Sequence, residues 1–595
     1  MVRFDLVFVT YNSSKWVKGC FESILRSNFD LAKISIYVTD NNSSDDTVEL
    51  LEYYSIIFKE KKAGFEIIKS AKNLGFGKGC NLASKKGTSP YLFFLNIDTT
   101  IDTRTLSDLE TKIEASDSAI GAWELRQYPS EHPKIYDPIT GYTSWCSAAA
   151  LVVRRSVFEG VKGFDKNIFM YAEDVDLSWK IKCLGFHLMY LPDVKIHHYC
   201  YQFADEVKPL EYTNSILNNL LLRFKFGSLR EIIAGHISFF LLFICSSSFK
   251  NSKRKLLTGF LSNLPKIVPF VWWKITHWNN LNKYKPSYFA GWHYSITRMG
   301  VFHANKFPGI SPLISIIVRT CGRPLVLRET LLSLRNQTYK NIEIVVVEDG
   351  ENTAENLIKK EFNDLNIVYY CSGKKTNRCS VGNIGMEKAK GIYLNFLDDD
   401  DLFYADHIET LVEAFEQNPE IRIAYNLAFE SPIDILSKDP YHYKEQPYAL
   451  TFSQEFNKAL LCHHNFIPIQ CVMFKKELFI ELGGLDEQLE VLEDWDLWLR
   501  YSTKDDFYFV KKTCSIYRVP SDKRQNDIRH NLFIKTLPLI REKQKFYHLN
   551  FNGAEVAKMI EEIDAINDRK FIPGKKLIKI AMKKIAKKLT GREAF

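Results

Sequence analysis

Leu6-Val7-Phe8-Val9-Thr10-Tyr11-Asn12 is an apolar run that opens into a polar turn, and Ile314-Ser315-Ile316-Ile317-Val318-Arg319-Thr320 repeats that pattern in the second half of the chain. Each is followed by a helix-like segment and then by another apolar run with an acidic end, Ile36 to Asp40 in the first half and Ile344 to Asp349 in the second. A third pair of runs ends in carboxylates as well: Tyr91 to Asp98, and Tyr393 to Leu397 followed by Asp398-Asp399-Asp400-Asp401. Apolar strands alternating with helical segments predict an α/β fold with a mostly parallel sheet covered on both faces. Polar groups at the carboxyl ends of such strands lie where open α/β sheets bind ligands.

The correspondence continues downstream. Gly163-Phe164-Asp165 precedes Glu173-Asp174-Val175-Asp176-Leu177, and Gly484-Leu485-Asp486 precedes Glu493-Asp494-Trp495-Asp496-Leu497, about 320 residues later. Each follows an apolar run ending in basic residues, Ala150 to Arg155 and Cys471 to Lys476. An acidic cluster repeated in the same order and setting implies one design used twice.

A chain of 595 residues exceeds what one core supports, so two to four domains are expected. The 12 cysteines contain no C-x-x-C pair, which argues against a disulfide framework or a structural zinc site and favours a reducing compartment. The N-terminus enters a strand almost at once and leaves no room for a charged and apolar leader, so a cytosolic protein is expected.

The charge is unevenly placed. From Arg223 to Lys306 there are 13 Lys and Arg and one acid, Glu231, alongside Trp272, Trp273, Trp278 and Trp292. The apolar run Ile237 to Cys245 is too short to cross a bilayer, which needs about 20 residues. Basic residues beside aromatic and apolar helices suit an anionic lipid surface. A helical linker packed on its neighbours is the plainer alternative, and no nucleic-acid motif accompanies the charge. Between Gly574 and Gly591 seven lysines occur without an acid, and Leu577, Ala581, Ile585 and Leu589 share one helical face, which predicts a second basic amphipathic segment.

Four successive carboxylates after a mostly apolar run are costly unless a cation compensates them. Hard divalent ions accept such oxygen ligands, and alternation along an extended chain aims Asp398 and Asp400 the same way. An acidic turn capping a helix near Leu402 is the competing reading. For Glu173-Asp174 and Glu493-Asp494 the competing reading is a pair of acids complementing a helix N-terminus.

Taken together, these motifs make the chain resemble the family 2 glycosyltransferases, over roughly Phe4 to His198 and Ser311 to Arg518. The first half resembles the rhamnosyltransferase-type branch through Val9 to Asn12, Asp40-Asn41-Asn42-Ser43, Asn73-Leu74-Gly75-Phe76-Gly77 leading to Asn81, Asn96-Ile97-Asp98, Gly163-Phe164-Asp165 and Tyr171 to Leu177. The second half resembles the general branch through Val347 to Gly350, Arg378 with Asn383 and Gly385, the Asp run, Gly483 to Asp486 and Glu493 to Leu497. The resemblance implies two tandem GT-A (Rossmann-like) domains, nucleotide-sugar donors and a Mg²⁺ or Mn²⁺ cofactor.

It also implies roles. Thr10, Asn12, Asp40, Asn73, Asn81 and Asn96 would line the first donor pocket, and Thr320, Asp349, Arg378 and Asn383 the second. Asp98 and a downstream histidine, His197 or its neighbour His198, would hold metal in the first site. Asn96 stands there where other members have the leading Asp of a D-x-D. Asp398 and Asp400 would hold metal in the second site, where Pro520 replaces the frequent His. Asp174 and Asp494 would deprotonate the acceptor hydroxyls. The expected organisation is a first domain over 1–203, a helical basic-aromatic connector over 204–308, a second domain over 309–525 and a helical tail over 526–595. The expected enzyme is a bifunctional inverting transferase acting on a lipid-linked glycan for O-antigen or capsule, peripheral on the cytoplasmic side of the inner membrane.

Overall fold

The computed structural model describes residues 2–199, 208–245, 249, 251–300, 309 and 311–570, so the basic segment Gly574 to Gly591 lies outside the described residues. The chain divides into two compact units, 1–305 and 306–595.

In the first unit the strands are β1 (Phe4–Thr10), β2 (Ile34–Asp40), β3 (Gly64–Lys69), β4 (Tyr91–Leu95), β5 (Thr99–Ile101), β6 (Ile120–Tyr128), β7 (Ala150–Arg154) and β8 (His187–His198). They form one sheet in the order β3-β2-β1-β4-β7-β6-β8-β5. The second unit contains β9 (Ile314–Thr320), β10 (Ile342–Glu348), β11 (Ile367–Cys371), β12 (Tyr393–Asp398), β13 (Leu402–Phe403), β14 (Ile423–Lys438), β15 (Tyr441–Glu445), β16 (Val472–Lys475) and β17 (Tyr508–Pro520). Their order, β11-β10-β9-β12-β16-β14-β17-β13, is the same strand for strand, with β15 added as a hairpin on β14. Both sheets are mixed. The β1, β2, β3 and β4 block is parallel, β7 runs antiparallel to β4 and β6, and β6 pairs parallel with β8.

The first strand of each sheet is buried on both faces, which accounts for its continuous apolar run. Phe4, Leu6 and Phe8 face one core cluster while Val7 faces the other. Likewise Ile314, Ile316 and Val318 face one cluster and Ile317 the opposite one. Each such side chain contributes about 1.5–3 kcal/mol by leaving water. The strand ends are thereby fixed by packing at their middles.

The segment expected as a connector is helical: Pro209–Phe226, Leu229–Cys245, Ser252–Asn263, Ile267–Thr276 and Trp278–Tyr284. Its first helix is part of the first unit's core. Leu221, Leu222 and Phe226 pack on Ile168, Val175 and Trp179, and Trp179 meets Phe226 edge-on at 5.2 Å. In the second unit helix Lys523–Gln544 takes the same place after the last strand, burying Ile540 with Trp495 and Trp498.

Both docking helices deliver a lysine to equivalent acids. Lys225 Nζ lies 2.8 Å from Asp165 and 2.5 Å from Asp176. Lys543 Nζ lies 2.5 Å from Asp486 and 2.8 Å from Asp496. The repeated Gly-x-Asp and Glu-Asp-x-Asp motifs thus share one cation in each unit. No described helix is long and apolar enough to cross a membrane.

Candidate active sites

Three strand ends and one helix start build each site. In the first unit Thr10 donates its hydroxyl to Asp40 at 3.0 Å, and Asp40 accepts the Ser43 amide at 3.0 Å and the Ser43 hydroxyl at 2.5 Å. Asn12, in the left-handed region at φ 51°, accepts the Ser44 amide at 2.9 Å and so holds the loop beside Asp40. Asn73 accepts the Gly75 amide at 2.9 Å and shapes the entry to helix Phe76–Ser84.

In the second unit the register shifts one expected equivalence. Thr10 pairs with Asp40, but Thr320 pairs with Glu348, so Glu348 and not Asp349 occupies the position of Asp40. Asp349 instead matches Asn41, since both donate a backbone amide at 2.8 Å to the strand-end threonine carbonyl. Asp349 accepts Thr376 twice, at 2.6 and 2.9 Å, and pairs with Lys375 at 2.8 Å. Buried Glu348 receives the Thr353 and Ala354 amides at 3.0 and 3.1 Å and so serves the scaffold.

Asn81 and Asn383 have a different place from the donor pocket expected for them. Asn81 donates to Phe164 O at 2.8 Å and accepts from Phe164 N at 2.9 Å. Asn383 does the same to Leu485, at 2.9 and 2.7 Å. Both amides are engaged with the Gly-x-Asp turn. A Cβ on Gly163 or Gly484 would come within 2.4 or 2.2 Å of these amide oxygens, so the turn needs glycine there. Arg378 starts helix Arg378–Lys388 and reaches Glu493 at 3.6 Å.

The acidic strand ends alternate as expected. Asp398 and Asp400 keep side-chain exposures of 26% and 36%, while Asp399 and Asp401 are buried. The matching residues in the first unit are Asn96 and Asp98 on the outer side, with Ile97 and Thr99 buried. Asp98 lies 3.4 Å from His198 Nε2, and Asn96 Nδ2 lies 3.5 Å from the same nitrogen. Burial pushes the Asp98 carboxyl up, but the hydrogen bond and charge of His198 outweigh it and hold the group below its ordinary range.

Of the two neighbours that the sequence leaves open, His198 and not His197 faces Asp98. Successive residues of β8 point to opposite faces, and its pairing with β5 sets which one turns inward. His197 reaches Asp102 at 3.2 Å instead. The other ring nitrogen of His198 lies 2.7 Å from Gln127 Oε1. With Nδ1 turned to Gln127, the nitrogen that faces Asp98 and Asn96 is Nε2, the one a metal ion would meet once it carries no proton. Asp98 and His198 are two donors that could hold a divalent ion with further ligands from a bound donor; among the described residues no group of three His, Cys, Asp or Glu is placed to hold one.

The second site balances its carboxylates differently. Arg319 makes a two-point bond to Asp398, at 2.7 and 2.8 Å, and reaches Glu493 at 3.1 Å. Arg323 pairs with Asp399 and lies 3.2 Å from Asp400, and Thr320 donates to Asp399 at 2.7 Å. Against burial, Arg319 holds Asp398 below its ordinary range. These carboxylates are neutralised by guanidinium groups, and as arranged they do not fit a divalent ion. Arg319 stands where the first unit has Val9. A charge in a buried strand was its only sequence signal, and no role was expected for it.

Each Glu-Asp pair opens a helix, Glu173–Cys183 or Glu493–Tyr501, immediately after a non-glycine residue in the left-handed region, Ala172 or Leu492, both at φ 66°. Such a backbone costs about 1–2 kcal/mol and recurs at the same point in both units. Asp174 accepts the Val175 amide at 2.8 Å and the Ala148 amide at 3.2 Å. Ala149 O accepts the Asn96 amide at 3.0 Å, so one short segment touches both the acidic helix and the strand end. Asp494 accepts the Trp495 amide and Asn465 Nδ2, each at 2.8 Å.

Burial, then the neighbouring Asp174 charge, raises Glu173. Burial raises Asp174, and burial followed by the Glu493 charge pushes Asp494 up to about 7. Carboxylates raised in this way are able to accept a proton from a hydroxyl near neutral pH.

A family model described as Glycosyl transferase family 2 matches residues 5–164 and 315–483, more than half of the chain. An uncharacterised glycosyltransferase of Rickettsia typhi is 31% identical over 225 residues, 37% of this chain and 69% of its own length. The glucosyl-dolichyl phosphate glucuronosyltransferase of Haloferax volcanii is 29% identical over 161 residues, 27% of this chain and 50% of its own length. Among solved structures, a Pyrobaculum calidifontis mannosyltransferase in complex with GDP-Man and Mn²⁺ is 14% identical. It covers 48% of this chain and 87% of its own, with a TM-score of 0.32.

Proposed function

The chain belongs to glycosyl transferase family 2 and is a glycosyltransferase using nucleotide-sugar donors, and from that premise we propose that both units are catalytic, each forming its own linkage with inversion. The observation that supports this reading is the repeated acidic helix start: a half-buried carboxylate of raised pKa that accepts the next residue's backbone amide, at the same place in both units.

In this reading Asp174 and Asp494 each take the acceptor proton as the acceptor oxygen attacks the anomeric carbon. The diphosphate leaves on the opposite side of the sugar, near the end of the central strand. In the first site Asp98 and His198 would hold Mg²⁺ or Mn²⁺, and the ion would supply positive charge to offset the negative charge growing on the departing diphosphate. Thr10, Asp40 and the loop around Asn12 shape the nucleotide side of that pocket. Asp349, Lys375 and Thr376 do so in the second.

The donors proposed are dTDP- or UDP-sugars, with L-rhamnose in the first site. The acceptor proposed is a lipid-linked glycan for O-antigen or capsule, reached from the cytoplasmic side of the inner membrane without nucleic acid as a partner. The Haloferax volcanii relative, named for a dolichyl phosphate-linked sugar, supports a lipid-linked acceptor.

The arginine-neutralised Asp run favours one second reading, in which the first unit is catalytic and the second grips the glycan. A panel of UDP-, dTDP- and GDP-sugars with Mn²⁺ or Mg²⁺, run on wild type, Asp174→Asn and Asp494→Asn, separates the two. Two donors consumed, each lost in a different variant, is the expected result. One donor consumed, with Asp494→Asn silent, supports the second reading.

A further inference from the structure

We propose that helix Leu229–Cys245 and the helical stretch 252–276 form a docking face for an anionic lipid bilayer. This deepens the lipid-linked-acceptor reading above and uses none of the residues of either candidate active site.

The first helix exposes Leu229, Ile233, Ile237, Phe240 and Leu241, between 43% and 72% accessible. Their spacing of four, four, three and one places them on one face. The opposite face carries the packing: Phe239 stacks on Phe260 at 5.2 Å, and Phe239 and Leu242 pack against the cluster of Ile216, Leu217 and Leu256. The second stretch comprises helix Ser252–Asn263, a tight turn Leu264–Lys266 and helix Ile267–Thr276. The joints at Leu264 and Ile267 keep right-handed helical dihedrals, so the helical path continues through the turn. It exposes Leu257, Leu261, Leu264, Val268, Trp272 and Ile275, between 43% and 71% accessible, at spacings of four, three, four, four and three.

A side chain on the other side of this stretch is buried instead, Leu256 against Ile216 and Leu217 of helix Pro209–Phe226. The two stripes therefore belong to helices that are already packed on their inner sides. Eleven large apolar side chains in two regular stripes exceed the scattered exposure normal for a protein surface.

Charge selects the occupant. Arg230 and Arg254 are exposed and stand three residues before Ile233 and Leu257, on the same faces as the stripes. Arg223, Lys225 and Arg298 of the surrounding segment are buried, whereas Lys255 is exposed beside Arg254, and the segment's one acid is Glu231. Two copies of this face would repel each other, and a nucleic acid offers phosphates but nothing for the apolar stripes. An anionic bilayer offers both, a negative headgroup layer and an acyl boundary. With no described helix long enough to span, the helices would lie in the plane of the surface.

The test uses the full-length chain with vesicles of phosphatidylcholine alone and of phosphatidylcholine with phosphatidylglycerol, read by co-sedimentation. One variant combines Ile237→Asp, Phe240→Asp, Val268→Asp and Trp272→Asp. A second combines Arg230→Gln and Arg254→Gln. Wild type is expected to bind the anionic vesicles, and the four-site variant to bind at least about tenfold more weakly. The two-site variant is expected to lose about 30-fold on anionic vesicles, from about 1 kcal/mol for each basic residue near the surface.

Wild-type binding by the four-site variant, or equal wild-type binding to neutral and anionic vesicles, overturns the proposal. So does a wild type that binds no vesicle, or that self-associates while the four-site variant is monomeric. All six positions are exposed, and circular dichroism checks the fold. Donor consumption in solution, with no vesicle present, reads the transferase proposal separately, so failure of one is distinguishable from failure of the other.

Discussion

Replacing Lys225 with Met should destabilise the first unit far more than Lys543→Met destabilises the second, although the two lysines make the same pair of contacts. Lys225 is 1% exposed and bridges Asp165 to Asp176, whose side chain is fully buried. Without it Asp176 is left with Lys180 at 3.2 Å, and Asp165 with the Asn167 backbone and side-chain amides at 2.9 Å. Removing one partner of a buried pair costs about 3–5 kcal/mol, because the carboxylates remain in place without their cation. Lys543 is 28% exposed, and Asp496 retains Arg500 at 3.1 Å and the Tyr547 hydroxyl at 2.6 Å. Its loss should cost about 1–2 kcal/mol, since water and these neighbours share the charge.

Hydrogen exchange read by mass spectrometry on peptides from Glu173–Cys183 and Glu493–Tyr501 in the full-length chain measures each unit separately. The opening equilibrium of the first peptide should rise about 10²-fold or more in Lys225→Met, and that of the second about 10-fold in Lys543→Met. The pH window follows from the shifts. Lys225 is raised by its carboxylates against burial, so its contribution is full below the ordinary lysine range and is lost as pH climbs through the raised value. Asp165 is lowered by Lys225 against burial, so its contribution is full above the ordinary carboxylate range and is lost as pH falls through the lowered value. The deficit of Lys225→Met should therefore be constant around neutrality and shrink only in acid or strong base. Equal effects of the two substitutions, or a deficit that varies between pH 6 and 8, would refute this account of the lock.

Four other outcomes are expected. Transfer by the second site should rise as pH increases through about 7, where Asp494 ionises, and a pH–rate profile of that linkage checks it. The stability of the same unit should move the opposite way. A raised carboxyl contributes most below the ordinary carboxylate range and loses that contribution as pH rises through 7, and Asp494→Asn should flatten the trend. In Mn²⁺ titrations followed by calorimetry, His198→Ala should weaken the first site at least about tenfold while His197→Ala changes it little, which separates the two neighbours. Arg319→Leu should destabilise the second unit by about 3 kcal/mol and tighten Mn²⁺ binding there, since Asp398 and Glu493 lose their shared cation. Unchanged Mn²⁺ affinity would show that the arginine does not compete with the ion.

Much of the fold was legible because it rests on periodicity. The buried runs at Leu6 and Ile314, and the outer-inner alternation of Asp398 to Asp401, are local patterns that the strands reproduce. What failed was register. Matching Asp349 to Asp40 placed an acid at a strand end correctly but one residue off, because a run of Val and Glu does not say which residue pairs with Thr320. His197 and His198 were inseparable for the same reason until β5 paired with β8.

The roles of Asn81 and Asn383 were also out of reach. Their partners lie 83 and 102 residues away. A conspicuous Asn near a glycine-rich loop suggests ligand contact just as readily as it suggests a clamp. Lys225 and Lys543 were invisible among many lysines, since only the docking of their helices shows which acids they meet.

The two sites show what a duplicated architecture leaves free to change. Each must keep negative groups at the end of its fourth strand, close to a buried acidic helix start, without letting their mutual repulsion unfold the strand end. The first unit reduces the charge: Asn96 replaces one carboxylate, Ile97 and Thr99 fill the buried positions, and His198 faces the remaining Asp98. The second unit keeps all four aspartates and supplies two arginines, one of them anchored from within the first strand. Arg319 spans Asp398 and Glu493, so strand end and acidic helix in that unit are tied by one side chain. No such tie is available to Val9. On the proposal above, a cation would find Asp98 free of any arginine in the first unit, whereas in the second unit it would compete with Arg319 and Arg323. If both units transfer sugar as proposed, their reactions should accordingly differ in how steeply they depend on divalent metal, even though strand order, clamp and lysine lock are the same in both units.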